Sequence, residues 1–324
     1  ETSNQALNCD YVRVTVTMQP QKDNYVPVNP RGTAIRYDGG DRLISSGGPV
    51  DLAHAVWPAD GTWIGDAWEI YSLQAYETAY SYHMPIGEDL YTYGGGDTGY
   101  FGDFKYVVLE AQALYDNTTL AIDNGAGTVV NITLNQGESY SSMGYIGSST
   151  APAITINAGT TILSDKPIQA GLLTGGDGTY QTRFLNVLPD LVWGNEYIAP
   201  VPRGVSATSG DQPAEVYIFN PNDYPISVTA YDISGTNTFS ITANAISSTV
   251  AYSQPVITGR YVPISSPVRL VSDDAFGAVI AGGTSQTPYD WGLTAIPVKY
   301  LTRDYYISWA PGNYYCPWNP TNCA

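Results

Sequence analysis

An internal repeat constrains this chain more than any other feature. Residues 161–200 read TILSDKPIQAGLLTGGDGTYQTRFLNVLPDLVWGNEYIAP, and residues 270–311 read LVSDDAFGAVIAGGTSQTPYDWGLTAIPVKYLTRDYYISWAP. Ser164 matches Ser272, Pro189 matches Pro297 and Tyr197 matches Tyr305, all at one separation: 272 − 164 = 297 − 189 = 305 − 197 = 108. Three separated landmarks at a single offset predict that one unit of about 100 residues has been copied along the chain. A weaker third copy lies near the front. Ser46-Gly47-Gly48-Pro49-Val50-Asp51-Leu52 aligns with Ser164–Ala170, and Tyr80–Gly87 (YSYHMPIG) aligns with Tyr197–Gly204 (YIAPVPRG). The expected divisions are 1–104, an N-terminal β unit with a Trp-rich insert; 105–210, a second unit; and 211–324, a third unit with a Cys-bracketed tail.

Within each copy the pattern is that of short strands. Tyr11–Met18 (YVRVTVTM) alternates at period two, with Val12, Val14 and Val16 on one side and Arg13, Thr15 and Thr17 on the other. That is the signature of a half-buried strand. Strands are also expected at Tyr106–Leu109, Thr118–Ile122, Thr128–Leu134 and Thr160–Leu163, and the Asn124-Gly125 pair marks a hairpin turn. Glu215–Ile233 reads as strand, Asn-Pro turn, strand. Turn signals recur every 8–12 residues or so and no helical period is sustained, so the fold class is all-β, with tandem β-sandwich-like repeats.

Composition narrows the environment. Of 324 residues, 43% are hydrophobic and only 13% charged, so cores can form while Ser, Thr, Asn, Gln, Gly and Tyr cover the surface. The net charge of −17 repels phosphate backbones and anionic lipid, which argues against a nucleic-acid partner. No apolar run is long enough for a helical membrane span. The chain begins at Glu1, and with this composition the expectation is an extracellular or cell-surface protein whose signal peptide has been removed.

Cys316 and Cys323 bracket six residues in CPWNPTNC and are disulfide candidates. Cys9 is then left over, as an interchain bond, a free thiol, or an alternative partner for one of the other two. No second cysteine pair or neighbouring histidine completes a zinc set. Asp97 and Asp103, in a Gly-rich loop, are candidate ligands for a structural calcium, although their spacing is not that of a calcium loop and a plain turn explains them better. No other cofactor is expected.

Trp57, Trp63 and Trp68 form a Trp-rich insert that either packs in a core or stacks on sugars. Asn117-Thr118-Thr119 and Asn131-Ile132-Thr133 are glycosylation sequons beside the expected hairpin. The N-terminal strand is either the first strand of its own domain or an arm that completes a neighbour's sheet. Of the two histidines, His54 and His83, neither belongs to an HExxH motif, and the chain has no GxSxG elbow, P-loop or strand-linked GxGxxG. A carboxylate pair of the glycosidase type has no sequence signature, so it is judged only on geometry. The expectation is a protein that is not an enzyme.

At LSDKPIQAG (Leu163–Gly171) and FLNVLPDLVWGNEYIAP (Phe184–Pro200) the chain resembles the N-terminal domain of IgGFc-binding proteins. The resemblance covers Tyr106–Pro200 and, more loosely, Glu215–Pro311. In the later copy Ala275-Phe276 replaces Pro-Ile, and Leu301-Thr302 stands where Trp193-Gly194 stood. It implies a secreted or surface β-rich module used in adhesion or assembly, with no catalytic residues, and immunoglobulin binding does not carry over. The resulting functional expectation is a self-assembling subunit of an extracellular filament, sheath or surface layer. Its own copies would be its partners, contacting through Val12, Val14 and Val16 and through Tyr314, Tyr315 and Trp318. The alternative is a cell-surface adhesin or carbohydrate-binding protein with glycans as partners.

Overall fold

The structure is a computed structural model. It describes residues 14–17, 42–45, 53–56, 66–90, 104–142, 154–175, 183–199, 214–232, 235–243, 251–253, 256–258, 261–264, 268–282 and 291–303. The described residues are all-β: apart from strands, the regular elements are single 3-10 turns at Leu73–Tyr76, Glu88–Leu90, Asp190–Val192 and Val298–Tyr300.

Two antiparallel pairs come first, β1 (Val14–Thr17) with β2 (Arg42–Ser45) and β3 (Ala53–Val56) with β4 (Asp66–Glu69). Then follow β5 (Ser81–His83), β6 (Tyr106–Ala113), β7 (Thr118–Asp123), β8 (Val129–Leu134), β9 (Ser139–Ser141), β10 (Thr161–Ser164), β11 (Ile168–Gly175) and β12 (Arg183–Asn186). They form two sheets, ordered β5-β10-β7-β8 and β12-β11-β6-β9. Leu120, Ile122 and Ile162 of the first sheet and Leu109, Ala170 and Leu172 of the second meet in one core. This is the first sandwich.

The second sandwich uses β13 (Gly194–Ala199), β14 (Ala214–Phe219), β15 (Ile226–Asp232), β16 (Gly235–Ile241), β19 (Tyr261–Ile264), β20 (Val268–Gly282) and β21 (Trp291–Thr294). A small pair, β17 (Ala251–Ser253) with β18 (Val256–Thr258), lies apart from its sheets. The fifteen-residue β20 serves both sheets. Its first part pairs with β13 and β15, and its second part pairs with β14 and β21. The resulting orders are β13-β20-β15-β16 and β21-β20-β14-β19, the same as in the first sandwich.

The registers correspond as well as the orders. Leu172 faces Leu185 across β11 and β12, and Ile280 faces Leu293 across β20 and β21, at the 108-residue separation seen in the sequence (280 − 172 = 108). Where β20 runs on, the first sandwich breaks the path into β10 and β11 with Asp165-Lys166-Pro167 between them. Pro167 has no N–H to give to a ladder, whereas its counterpart Ala275 does.

The strands form where alternation was legible. In β7, Thr118, Leu120 and Ile122 are buried while Thr119 and Asp123 are exposed. The Asn124-Gly125 turn closes the β7–β8 hairpin: Gly125 has φ +70°, and Asn124 Oδ1 accepts the N–H groups of Ala126 and Thr128.

Two pairings cross the expected divisions. β5 lies before residue 104 yet is an edge strand of the first sandwich, and β13 lies before residue 210 yet is an edge strand of the second. Each sandwich therefore takes its first strand from the stretch that precedes it. The pairing also puts Tyr82, not Tyr80, in the place of Tyr197, because Tyr82 faces Ile162 and Tyr197 faces Leu270. A shift of two residues keeps every side chain on its face, so alternation alone could not detect it.

Candidate functional site: the seam between the sandwiches

The β14–β20 sheet is buried on both faces. Val216, Ile218, Ala278 and Ile280 point into the second core, as their period demands. Tyr217, Val279 and Ala281, on the opposite face, belong to the core of the first sandwich. Phe104 meets the Tyr217 ring edge-on, with centroids 4.8 Å apart. The outer face of one sandwich thus fills the open side of the other, and one sheet bounds two separate cores. Sequence explains this: Val216–Phe219 and Gly277–Ala281 are uninterrupted buried runs, the pattern of a strand covered on both sides.

An aromatic cluster closes the seam. Phe219 lies edge-on to Trp193 at 5.9 Å, and the His83 ring sits 5.9 Å from Phe219 and 6.2 Å from Trp193. Gly277 is needed here, since a Cβ would come within 2.8 Å of the Trp193 ring. Gly159, at φ +86°, supports the other side of Phe219, where a Cβ would lie 3.4 Å from the ring. Trp193 Nε1 donates to Leu188 O at 2.9 Å, and Lys299 Nζ donates to Trp193 O at 2.9 Å. Thr294 Oγ1 donates to Asn186 O, tying β21 to β12. Fully burying a side chain the size of Phe219 contributes about 2–3 kcal/mol.

Ser81, His83 and Asp190 also meet at this seam. Ser81 Oγ donates to Asp190 Oδ2, and His83 Nδ1 lies 2.9 Å from that same oxygen. The contact is not a directed hydrogen bond, for His83 Nδ1 has no hydrogen-bond partner, and neither has Asp190 Oδ1. A nucleophilic triad runs Ser to His to Asp. Here both Ser and His converge on Asp, which ties β5 to the turn before β13 and does not place the imidazole between hydroxyl and carboxylate. The space enclosed beside Trp193 and Tyr197 is about 10 Å³, roughly one water. A surface groove lined by Leu73, Glu77, Leu114 and Tyr115, among others, holds about 210 Å³, below the usual range for ligand pockets.

A buried tyrosine clamp is described in each sandwich. Tyr82 donates its hydroxyl to Ile168 O and Tyr197 to Phe276 O, both at 2.6 Å, and Ile168 and Phe276 are 108 residues apart (276 − 168 = 108). Burial raises the pKa of both phenols, so they stay protonated donors at neutral pH.

Of the residues expected from sequence to act in assembly or bonding, Cys9, Cys316, Cys323, Val12, Tyr314, Tyr315 and Trp318 lie outside the described residues, as do Asp97, Asp103, Trp57 and Trp63. Val14 and Val16 lie on β1 and pair with Ser45 and Leu43 of the same chain. His54 of β3 faces Trp68 of β4 across their ladder. Asn131 lies on β8 opposite Ala121, and Asn117 lies in the turn just before β7 of the same hairpin. Among the described residues no three His, Cys, Asp or Glu side chains gather to hold a metal, and no helix is long and apolar enough to cross a membrane. Trp193, Phe219, His83 and Asp190 were not foreseen as a group. Their sequence signals are the unbroken apolar run ending at Phe219 and the replacement of Trp193 by Leu301 in the later copy. No protein family, curated protein or solved structure matches this chain.

Proposed function

We propose that this protein is a secreted structural subunit, built from copies of one sandwich module, that self-assembles into an extracellular filament, sheath or surface layer. One observation carries the reading. The residues that bury the first sandwich against the second have exposed apolar counterparts on the second sandwich. Trp193 is 5% exposed, and its counterpart Leu301 is 43% exposed. His83 corresponds through the β5 and β13 registers to Ile198, which is 46% exposed, and Leu188 corresponds to Ile296, 40% exposed. Apolar side chains at a place where the preceding unit makes a seam are suited to another unit of the same kind.

A second copy of this chain is the occupant the reading commits to. In sequence, residues 302–307 follow Leu301 as Gly194–Ala199 follows Trp193, with Tyr305 in the place of Tyr197. The proposal gives that stretch the same task in a second copy, that of strand addition to a sheet. The motif resemblance to secreted adhesion modules points the same way.

The test is electron microscopy and sedimentation of the full chain, wild type against the double variant Ile198→Asp with Leu301→Asp. The expected result is polymer for the wild type and folded monomer, with an unchanged melting temperature, for the variant. A wild-type chain that stays monomeric at high concentration, or a variant that polymerises as well as wild type, overturns the reading.

A further inference from the structure

The chain contains two N-x-S/T triplets free of proline, at Asn117 and Asn131; Asn319-Pro320-Thr321 is disqualified by its proline. Although they are separate in sequence, the fold puts both on the outward face of one hairpin. On β8, Val130, Ile132 and Leu134 turn toward the core, while Val129, Asn131 and Thr133 are exposed. On β7, Thr119 is exposed and lies directly opposite Thr133, so the hydroxyl residues of the two triplets form one cross-strand pair. Asn131 faces Ala121, and Asn117 is exposed at the turn that opens β7, with φ +53°. With Asn117 four residues from Ala121 at about 3.3 Å each, and strands about 4.8 Å apart, the two asparagines are roughly 14 Å apart. No hydrogen bond of the described residues engages either carboxamide. The second sandwich has the same hydroxyl pair, Ser227 opposite Ser240, but Pro225 and Thr238 stand where the asparagines would be.

We propose that Asn117 and Asn131 both carry N-linked glycans, forming a sugar-covered face on the first sandwich. The inference rests on the secreted location in the proposed function. In the transfer, the asparagine side-chain nitrogen bonds to the anomeric carbon of a sugar held on a polyprenyl phosphate-type donor. The bond from that carbon to the phosphate oxygen breaks, the lipid phosphate leaves, and the amide gives up one proton. Such transfer precedes or accompanies folding, so the fold must leave the modified nitrogen in solvent, as both positions do. The sugar at Asn131 also stands on β8, an edge strand of its sheet among the described residues. A bulky hydrated group there blocks strand addition at that edge and directs assembly to the opposite end of the chain.

The experiment is peptide mass spectrometry of the protein recovered from the organism that makes it, with the extracellular and cellular fractions analysed separately. Peptides spanning Asn117 and Asn131 should both carry sugar. In the same organism, Thr133→Ala should lose the glycan at Asn131 and keep the one at Asn117, whereas Thr133→Ser should keep both. Extracellular protein with either asparagine unmodified overturns this inference and leaves the proposed function standing. Protein found only inside the cell overturns the secreted reading itself, and this inference with it.

Discussion

The two sandwiches share their strand orders, their tyrosine clamps and most of their registers, yet they treat their outer faces in opposite ways. In the first sandwich the outer face of β6 and β11 presents Glu110, Gln112 and Gln169, which are exposed or half-buried. In the second, the same positions are Tyr217, Phe219 and Gly277, all buried. A shared inner core fixes the sandwich. The outer face decides whether that sandwich ends in water or against another.

The turns between sheets differ in a second, compensating way. In the first sandwich Lys166 Nζ donates to Asp116 O at 2.5 Å and Asn117 O at 2.9 Å, and Asp165 Oδ1 accepts from Thr119 N at 2.7 Å. In the second, Asp274 takes the place of Lys166, and Tyr224 takes the place of Asp116. The Tyr224 hydroxyl donates to Asp274 Oδ1 at 2.9 Å, and Asn222 Nδ2 donates to Ala275 O at 3.0 Å. A cation reaching backbone carbonyls has been exchanged for a carboxylate that accepts from a phenol. Both arrangements hold the same crossing between sheets.

The largest expected effect tests the outer faces. Phe219→Ala should cost about 3–5 kcal/mol in equilibrium unfolding, because it empties the seam and unpacks Trp193. Gln112→Ala at the corresponding position should cost within about 0.5 kcal/mol. Equal losses from the two would break the comparison. Next come the clamps. Tyr82→Phe and Tyr197→Phe should each cost about 1–3 kcal/mol, since each leaves a buried carbonyl unpaired. Unequal losses, measured by denaturant titration, would mean that the clamps are not equivalent. Lys166→Ala should then cost about 1 kcal/mol, and hydrogen exchange should speed up at the turn after β10 without change in the second sandwich.

The smallest effect is on pH. The Thr119 N–H, its hydroxyl and nearby Lys166 hold the Asp165 carboxyl below the usual carboxylate range. A depressed folded-state pKa contributes stability that is present above the unfolded value and is lost as pH falls through the folded value. Asp165→Asn should therefore lower stability slightly at neutral pH and converge with wild type in acid, which flattens the acid limb of the stability curve. An acid limb identical to wild type would remove Asp165 from the account.

Local order was readable from the residues alone. Alternation in Thr118–Ile122, the Asn124-Gly125 turn and the many turn signals determined an all-β chain, because side-chain period and turn chemistry act over a few residues. Two of the three repeat landmarks, Ser164 with Ser272 and Pro189 with Pro297, lie at the separation of the β11–β12 and β20–β21 registers, and Tyr305 lies outside the described residues. What the residues did not reveal is which strand completes which sheet. β5 and β13 join sandwiches downstream of where they were assigned, because edge pairing joins segments far apart in sequence and leaves no local mark. The seam was hidden for a related reason. Phe219, Trp193 and His83 are distant in the chain, and only the packing of one sandwich's outer face into the open side of another brings them together. The apolar runs at Val216–Phe219 and Gly277–Ala281 are read from sequence only as strands, and their burial on both faces is a finding of the structure. Only the tertiary structure could say what covers them, since burial requires a partner surface and the sequence does not specify where it lies.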